Sequence, residues 1–204
     1  MTIPEVLAAV PAGLLATLRR RHAEPQRAYH DWTHIEAMLA LFAETRGDLA
    51  APDAVLYAIL FHDAVYDPQA HDNEERSAAL LETLAGGALD RPTLDRAVRM
   101  IRATQRHRLD PGLPADELAD TARFLDMDLA IIGAEAARFD AYERAIRFEY
   151  GHVEDDAFAA GRAAVMAGFG RRARLYLSDW GHDHFEVQAR ANIARSLARL
   201  APVA

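Results

Sequence analysis

The sequence predicts an all-α protein built as a single-domain helical bundle. Three observations carry that expectation. Apolar residues recur at three- and four-residue spacing in one segment after another. Proline and glycine groups such as Gly86-Gly87 and Pro111-Gly112 punctuate those segments. No stretch alternates apolar and polar residues as a half-buried strand would.

The first helix is expected from about Pro4 to Arg21, with Leu7, Val10, Leu14, Leu15 and Leu18 on one side and a kink or split at Pro11. The second begins near Thr33, carries Ile35, Met38, Leu39 and Phe42, and stops at Gly47. The third opens on Pro52, a favoured first-turn residue, and runs to about Val65. It is apolar almost all round, so it is expected to be buried on most faces. Asp72-Asn73-Glu74-Glu75 reads as a cap and acidic first turn for a helix reaching Gly86-Gly87. Further helices are expected over about Pro92–His107, Glu117–Ile132, Ala134–Tyr150, Asp155–Arg171 and His184–Leu200, with a loop over Arg108–Asp116. Residues 1–204 thus read as one domain, with a core of motifs at about 25–133 and C-terminal helices at about 134–200.

Composition narrows the function. A chain of 204 residues can bury one sizeable core. Its net charge of −8 argues against a nucleic-acid polymer as partner, because phosphate backbones need a basic face. A local basic pocket for one small phosphorylated substrate is still allowed. There is no cysteine, which excludes thiolate nucleophiles, disulfides and thiolate metal sites. Any metal must then be held by imidazole and carboxylate. All 23 basic residues are arginine, so Schiff-base and phosphate-loop lysines are excluded too. The segment Met1-Thr2-Ile3-Pro4-Glu5 does not read as a signal peptide, and the apolar run Ala54–Phe61 is too short to cross a bilayer. No membrane partner is expected. A reducing cytoplasm suits the composition, and a homo-oligomer is compatible with it.

Three clusters carry chemistry. The doublet His62-Asp63 sits at the end of the buried third helix. A buried aspartate is costly unless paired, hydrogen-bonded or bound to a cation, and the C-terminal end of a helix disfavours an anion. His30 and His34, in Tyr29-His30-Asp31-Trp32-Thr33-His34, are four apart. His34 falls inside the expected helix and His30 before it, which favours His34 on a metal and His30 facing a substrate. In Phe124-Leu125-Asp126-Met127-Asp128-Leu129, the two aspartates lie about 200° apart on a helix, so they cannot share a face. Either could instead be a surface residue. His22, His71, His152, His182 and His184 read as loop or surface histidines.

In their order and spacing these residues resemble the HD-domain superfamily of metal-dependent phosphohydrolases. The family's pattern is a histidine, a later His-Asp doublet and a distant aspartate followed by an aliphatic residue. The chain also looks like a bacterial branch of predicted HD phosphohydrolases in Phe61-His62-Asp63-Ala64-Val65-Tyr66, in Asp72 to Ala78, in Phe124 to Gly133 and in Ile146-Arg147-Phe148-Glu149-Tyr150.

The resemblance implies His34, His62, Asp63 and Asp128 as metal ligands, with Asp126 as the alternative to Asp128. It implies His30 as proton donor to the leaving group. It implies one or two divalent ions, with manganese, magnesium, iron, cobalt, nickel and zinc all compatible with imidazole and carboxylate. His107 is a candidate for a second metal or for substrate, or simply ends its helix. Glu74 is a candidate for orienting water, or is only a first-turn acid. Arg147 and Arg190 are candidates for holding a phosphate, against the plainer reading of ion pairs such as Glu186–Arg190. The activity implied is hydrolysis of a phosphoester in a nucleotide or other small phosphorylated metabolite. The alternatives are a non-catalytic nucleotide-binding or interaction module and an HD-type diiron oxygenase.

Overall fold

The computed structural model describes residues 2–201. Among them the backbone forms ten α-helices and two short 3-10 segments, and no strand, as the periodicity predicts. The chain divides into two compact units between Met127 and Asp128.

The first unit opens with α1 (Ile3–Leu7) and α2 (Ala12–Arg21), so Pro11 splits the expected first helix in two. It continues with α3 (Trp32–Thr45), α4 (Pro52–Phe61), α5 (Asn73–Ala85), α6 (Arg91–Thr104) and α7 (Ala115–Asp128), whose last residue already belongs to the second unit. Helix α4 is the hub and packs against α3, α5 and α6. All eight residues from Ala54 to Phe61 are buried. Each large side chain among them contributes about 1.5–3 kcal/mol by leaving water.

The ends of α4 are decided by residues far away in sequence. Its first residues have no side-chain cap of their own. Asp120 of α7 supplies one, accepting the Ala50 and Ala51 N–H groups at 3.0 and 2.8 Å. At the other end, α4 stops at Phe61 and not near Val65. The Ser77 hydroxyl accepts the Val65 N–H at 3.0 Å and donates to the Val65 carbonyl at 3.3 Å. With both backbone groups taken, Val65 cannot extend the helix.

Helix α5 begins as expected, but Asp72 makes no capping bond; its carboxylate pairs with Arg76 across one turn. Asn73 instead secures the preceding loop, accepting the Asp67 N–H at 3.1 Å and donating to the Asp67 carbonyl at 2.8 Å. The sequence Asn73-Glu74-Glu75-Arg76-Ser77 therefore pins the stretch that follows the His-Asp doublet.

The second unit contains a 3-10 turn (Leu129–Gly133), α8 (Ala136–Glu149), α9 (Asp155–Gly170) and α10 (Asp179–Leu200). Its core is Leu129, Ile132, Phe139, Met166, Leu175, Tyr176, Ala189 and Ile193. Buried Asn192 donates to the Ile132 and Ala134 carbonyls, both at 2.8 Å, and Tyr176 donates to the Leu129 carbonyl at 3.0 Å. These bonds satisfy carbonyls around a short 3-10 turn that lacks an α-helical ladder. Helix α10 starts five residues before the expected His184, because Ser178 caps it by accepting the Gly181 N–H at 3.0 Å.

Candidate metal centre

The Asp31 carboxylate accepts the Thr33 N–H at 2.8 Å and the Thr33 hydroxyl at 2.6 Å, and so starts α3. This cap divides the first motif. His34 falls in the first turn of α3, where it is buried, and His30 lies in the preceding loop, half-buried. His62 is the residue after α4 and is buried at its end; the Asp63 side chain is one-fifth exposed.

The two motifs meet. His34 Nε2 lies 3.2 Å from His62 Nε2 and 3.8 Å from Asp63 Oδ2, and His62 Nε2 lies 3.0 Å from Asp63 Oδ2. A circle through these three atoms has a radius of about 2.0 Å, which matches the ~2.0–2.2 Å bonds that imidazole and carboxylate make to a transition-metal ion. A point at bonding distance from all three therefore exists. Among the described residues, this is the group of histidine, aspartate and glutamate side chains whose atoms converge closely enough to hold a metal ion.

The protonation chemistry fits the same conclusion. The His62 Nδ1–H donates to the Ile59 carbonyl at 3.0 Å, which leaves the Nε2 lone pair facing the cluster. Two imidazole nitrogens and a carboxylate oxygen at 3.0–3.8 Å from one another repel unless a positive charge lies among them. A proton or a metal ion supplies it. Burial opposes ionisation of Asp63. When the imidazoles are protonated, the charges of His62 and His30, the hydrogen bond from His62 and the charge of His34 outweigh it and hold the carboxyl well below the usual aspartate range. The site is thus built around an anionic oxygen.

Aromatic rings wall the cluster. Phe124 meets His62 edge-on at 5.9 Å between centroids, and Tyr29 lies 4.9 Å from His34. His30 stacks on Tyr66 at 4.4 Å with its centroid 6.1 Å from that of His34. It stands beside the three convergent side chains without being one of them.

Glu74 is half-buried in the first turn of α5. His107 is half-buried just past the end of α6 and, with φ of 45°, has left-handed backbone, the one such non-glycine among the described residues. Neither belongs to the group of three. Asp126 is buried in the first unit, and Asp128, half-buried, opens the second.

Arg147 donates to the Tyr150 and Val153 carbonyls at 2.7 and 3.0 Å and to Asp155 at 2.7 Å, bracing the connection from α8 to α9. Arg190 pairs with Glu186 one turn away and donates to the carbonyls of Gly170, Arg172 and Ala173. Glu186 in turn accepts the Leu175 and Tyr176 N–H groups. Burial opposes its ionisation, and those bonds with Arg190 outweigh it and lower its pKa. Both arginines thus have roles in holding the chain together, and Arg190 makes the Glu186 ion pair weighed for it.

Two buried residues escaped the sequence reading. His22 is only 1% exposed and not a surface histidine; its Nδ1 bonds the Leu18 carbonyl at 3.0 Å. Arg27 is fully buried in its side chain, between the two motifs. Both follow or occupy the polar stretch His22-Ala23-Glu24-Pro25-Gln26-Arg27, which carries no apolar periodicity to betray burial.

No helix among the described residues is long and apolar enough to cross a membrane. Compared with protein-family models, with curated proteins and with solved structures, the chain matches none.

Proposed function

We propose that this chain is a metal-dependent phosphohydrolase acting on a small phosphorylated metabolite, nucleotides included. The observation that carries the reading is the convergence of His34, His62 and Asp63 from separate elements onto one point at metal-bonding distance.

A divalent ion at that point would act as a Lewis acid toward phosphoryl oxygen and would lower the pKa of a coordinated water. The protein's own residues divide the rest of the work. His34 and His62 offer neutral imidazole, and the Ile59 carbonyl keeps His62 in the tautomer that binds. Asp63 supplies negative charge. Asp128, outside the three side chains that converge, is the fourth ligand by resemblance to the HD superfamily alone, with Asp126 as the alternative. His30, stacked on Tyr66 beside the ligands, holds the proton given to the departing oxygen. Glu74 and His107 are secondary candidates, for orienting water and for a second ion. The lack of cysteine suits a cytoplasmic setting.

The test is a screen of phosphomonoesters, nucleotides and cyclic nucleotides with manganese, magnesium, cobalt and nickel. Turnover that requires the metal and is abolished in His34→Ala is expected. Absence of turnover with every metal, in protein shown by elemental analysis to be loaded, rejects the reading.

A further inference from the structure

Arg27 is the buried cation that the proposed chemistry leaves unused. Its Nη1 donates to two backbone carbonyls at once, that of His30 at 2.8 Å and that of Asp63 at 2.7 Å. One carbonyl belongs to the first histidine motif and the other to the His-Asp doublet, 33 residues on in the sequence. Its Nε donates to Glu24 at 3.1 Å, so the guanidinium is neutralised on the side away from those carbonyls. Its face lies over Tyr66 at 5.3 Å, and the Tyr66 ring stacks on His30. Gln26 adds a second tie by donating to the Tyr66 carbonyl at 3.3 Å.

We propose that Arg27 is a positioning residue of the metal centre: by holding the His30 and Asp63 carbonyls on one nitrogen, it sets where the proton donor stands relative to the ligand cluster. The inference rests on the metal-site reading above for its functional consequence, but not for the clamp itself. The helices fix the other members without it. His34 is oriented by the Asp31 cap of α3, and His62 by the end of α4 and the Ile59 carbonyl. His30 lies in a loop and Asp63 in a turn beyond a helix, so no helix ladder holds either of them. The planar guanidinium suits this task, since it reaches Glu24 and both carbonyls from one rigid fork, which an ammonium at the end of a flexible stem does not reproduce.

The test uses the full chain as wild type, Arg27→Met, Arg27→Lys and Arg27→Ala. Amide hydrogen exchange reports on the clamp, and cobalt titration followed by the visible spectrum reports on the centre. Expected is faster exchange in Arg27→Met in both segments, 28–31 and 63–66, with the rest of the first unit still protected. Cobalt affinity should fall by about 10–100-fold, the range for losing a group that orients metal ligands, with an altered ligand-field spectrum. Arg27→Lys, which keeps the charge, should loosen both segments less and recover part of the affinity. Methylguanidinium added to Arg27→Ala should restore the spectrum, which a general loss of packing would not allow. Wild-type exchange in either segment of Arg27→Met overturns the clamp, and so does loosening of one segment alone. If both segments loosen while cobalt affinity and spectrum stay those of wild type, the positioning role is overturned. A wild-type chain that binds no cobalt rejects the metal reading instead, and the clamp is then judged on exchange. If Arg27→Met does not fold, the same comparisons are made on Arg27→Lys.

Discussion

His62 donates its Nδ1–H to the carbonyl of Ile59, one turn back in the same chain segment, at 3.0 Å. That bond turns the other nitrogen toward His34 and Asp63 and removes the choice of tautomer. It also explains why the doublet stands where the helix ends. In a continued α4 the Ile59 carbonyl would accept the Asp63 N–H; the chain leaves the helix after Phe61, and the His62 ring takes that carbonyl. The helix terminus thereby becomes the outer support of a ligand.

The first prediction concerns the ligands. His62→Ala and Asp63→Asn should each abolish detectable binding of manganese or cobalt in calorimetry and leave no metal in elemental analysis. Asp128→Ala should weaken it severely, whereas Asp126→Asn should leave it within a few-fold of wild type. In the wild type, metal at 100 times its dissociation constant should stabilise the fold by about 2.7 kcal/mol, read as a raised midpoint in thermal unfolding. Stoichiometric binding by His62→Ala would refute the assignment.

The second prediction separates His30 from His34. His34→Ala should lose metal and turnover together. His30 stands beside the cluster on Tyr66, so His30→Ala should keep the metal. Its rate should fall by about 10²–10⁴-fold, the usual contribution of a positioned acid. Metal titration beside steady-state rates on any substrate found in the screen decides it. Loss of metal from His30→Ala would merge the two roles.

The third prediction is a pH dependence of stability that comes from His22. Burial is the main cause of its pKa falling from 6.5 to about 4; the bond to the Leu18 carbonyl and the charge of Asp63 work against this, while Arg27 and His62 add to it. Its Nε2 has no protein partner that could accept a proton's charge. Between pH 6.5 and 4 the unfolded side chain is protonated and the folded one is not, so the unfolded state holds more protons. The contribution of neutral His22 is therefore complete above 6.5 and is lost as pH falls through that window, about 3 kcal/mol in all. Urea unfolding of wild type and His22→Gln from pH 7 to 4 tests this. The variant should show a shallower fall, and parallel curves would exclude His22 as the cause.

What could be read from the sequence, and what could not, divides along one physical line. The helices were legible wherever their own apolar periodicity determines them, as in α3 and α6, and Pro11 marked the break between α1 and α2. Boundaries set by a distant side chain were not. Ser77 holds Val65, just past the end of α4, from twelve residues away, and Asp120 holds the residues before its start from some seventy. At the centre, His34, His62 and Asp63 stood out because ionisable groups on apolar helices demand an explanation. Arg27 did not, because an arginine among Glu24, Pro25 and Gln26 looks solvated until the tertiary structure closes over it. For Arg190 the ion pair with Glu186 was legible from the four-residue spacing, whereas the carbonyls that engage Arg147 and Arg190 lie in connections that periodicity does not reveal.

The last prediction contrasts two glycines of the second unit. A Cβ on Gly133 would lie 2.6 Å from Phe185 Cβ, 2.7 Å from its carbonyl oxygen and 2.9 Å from the Tyr176 hydroxyl. Two of these neighbours are fixed by the backbone of α10, and Tyr176 is held by its bond to Leu129, so nothing can move aside cheaply. Gly133→Ala should therefore destabilise the protein by about 1–3 kcal/mol, the range for overpacking. Gly161 lies inside α9 with nothing within 4 Å of the Cβ position. There the added methyl only reduces the freedom of the unfolded chain and improves helix propensity, so Gly161→Ala should stabilise by about 0.4–1 kcal/mol. Denaturant midpoints of the two variants should move in opposite directions. A Gly133→Ala protein as stable as wild type would mean that the turn and α10 do not approach as closely as their backbone contacts require.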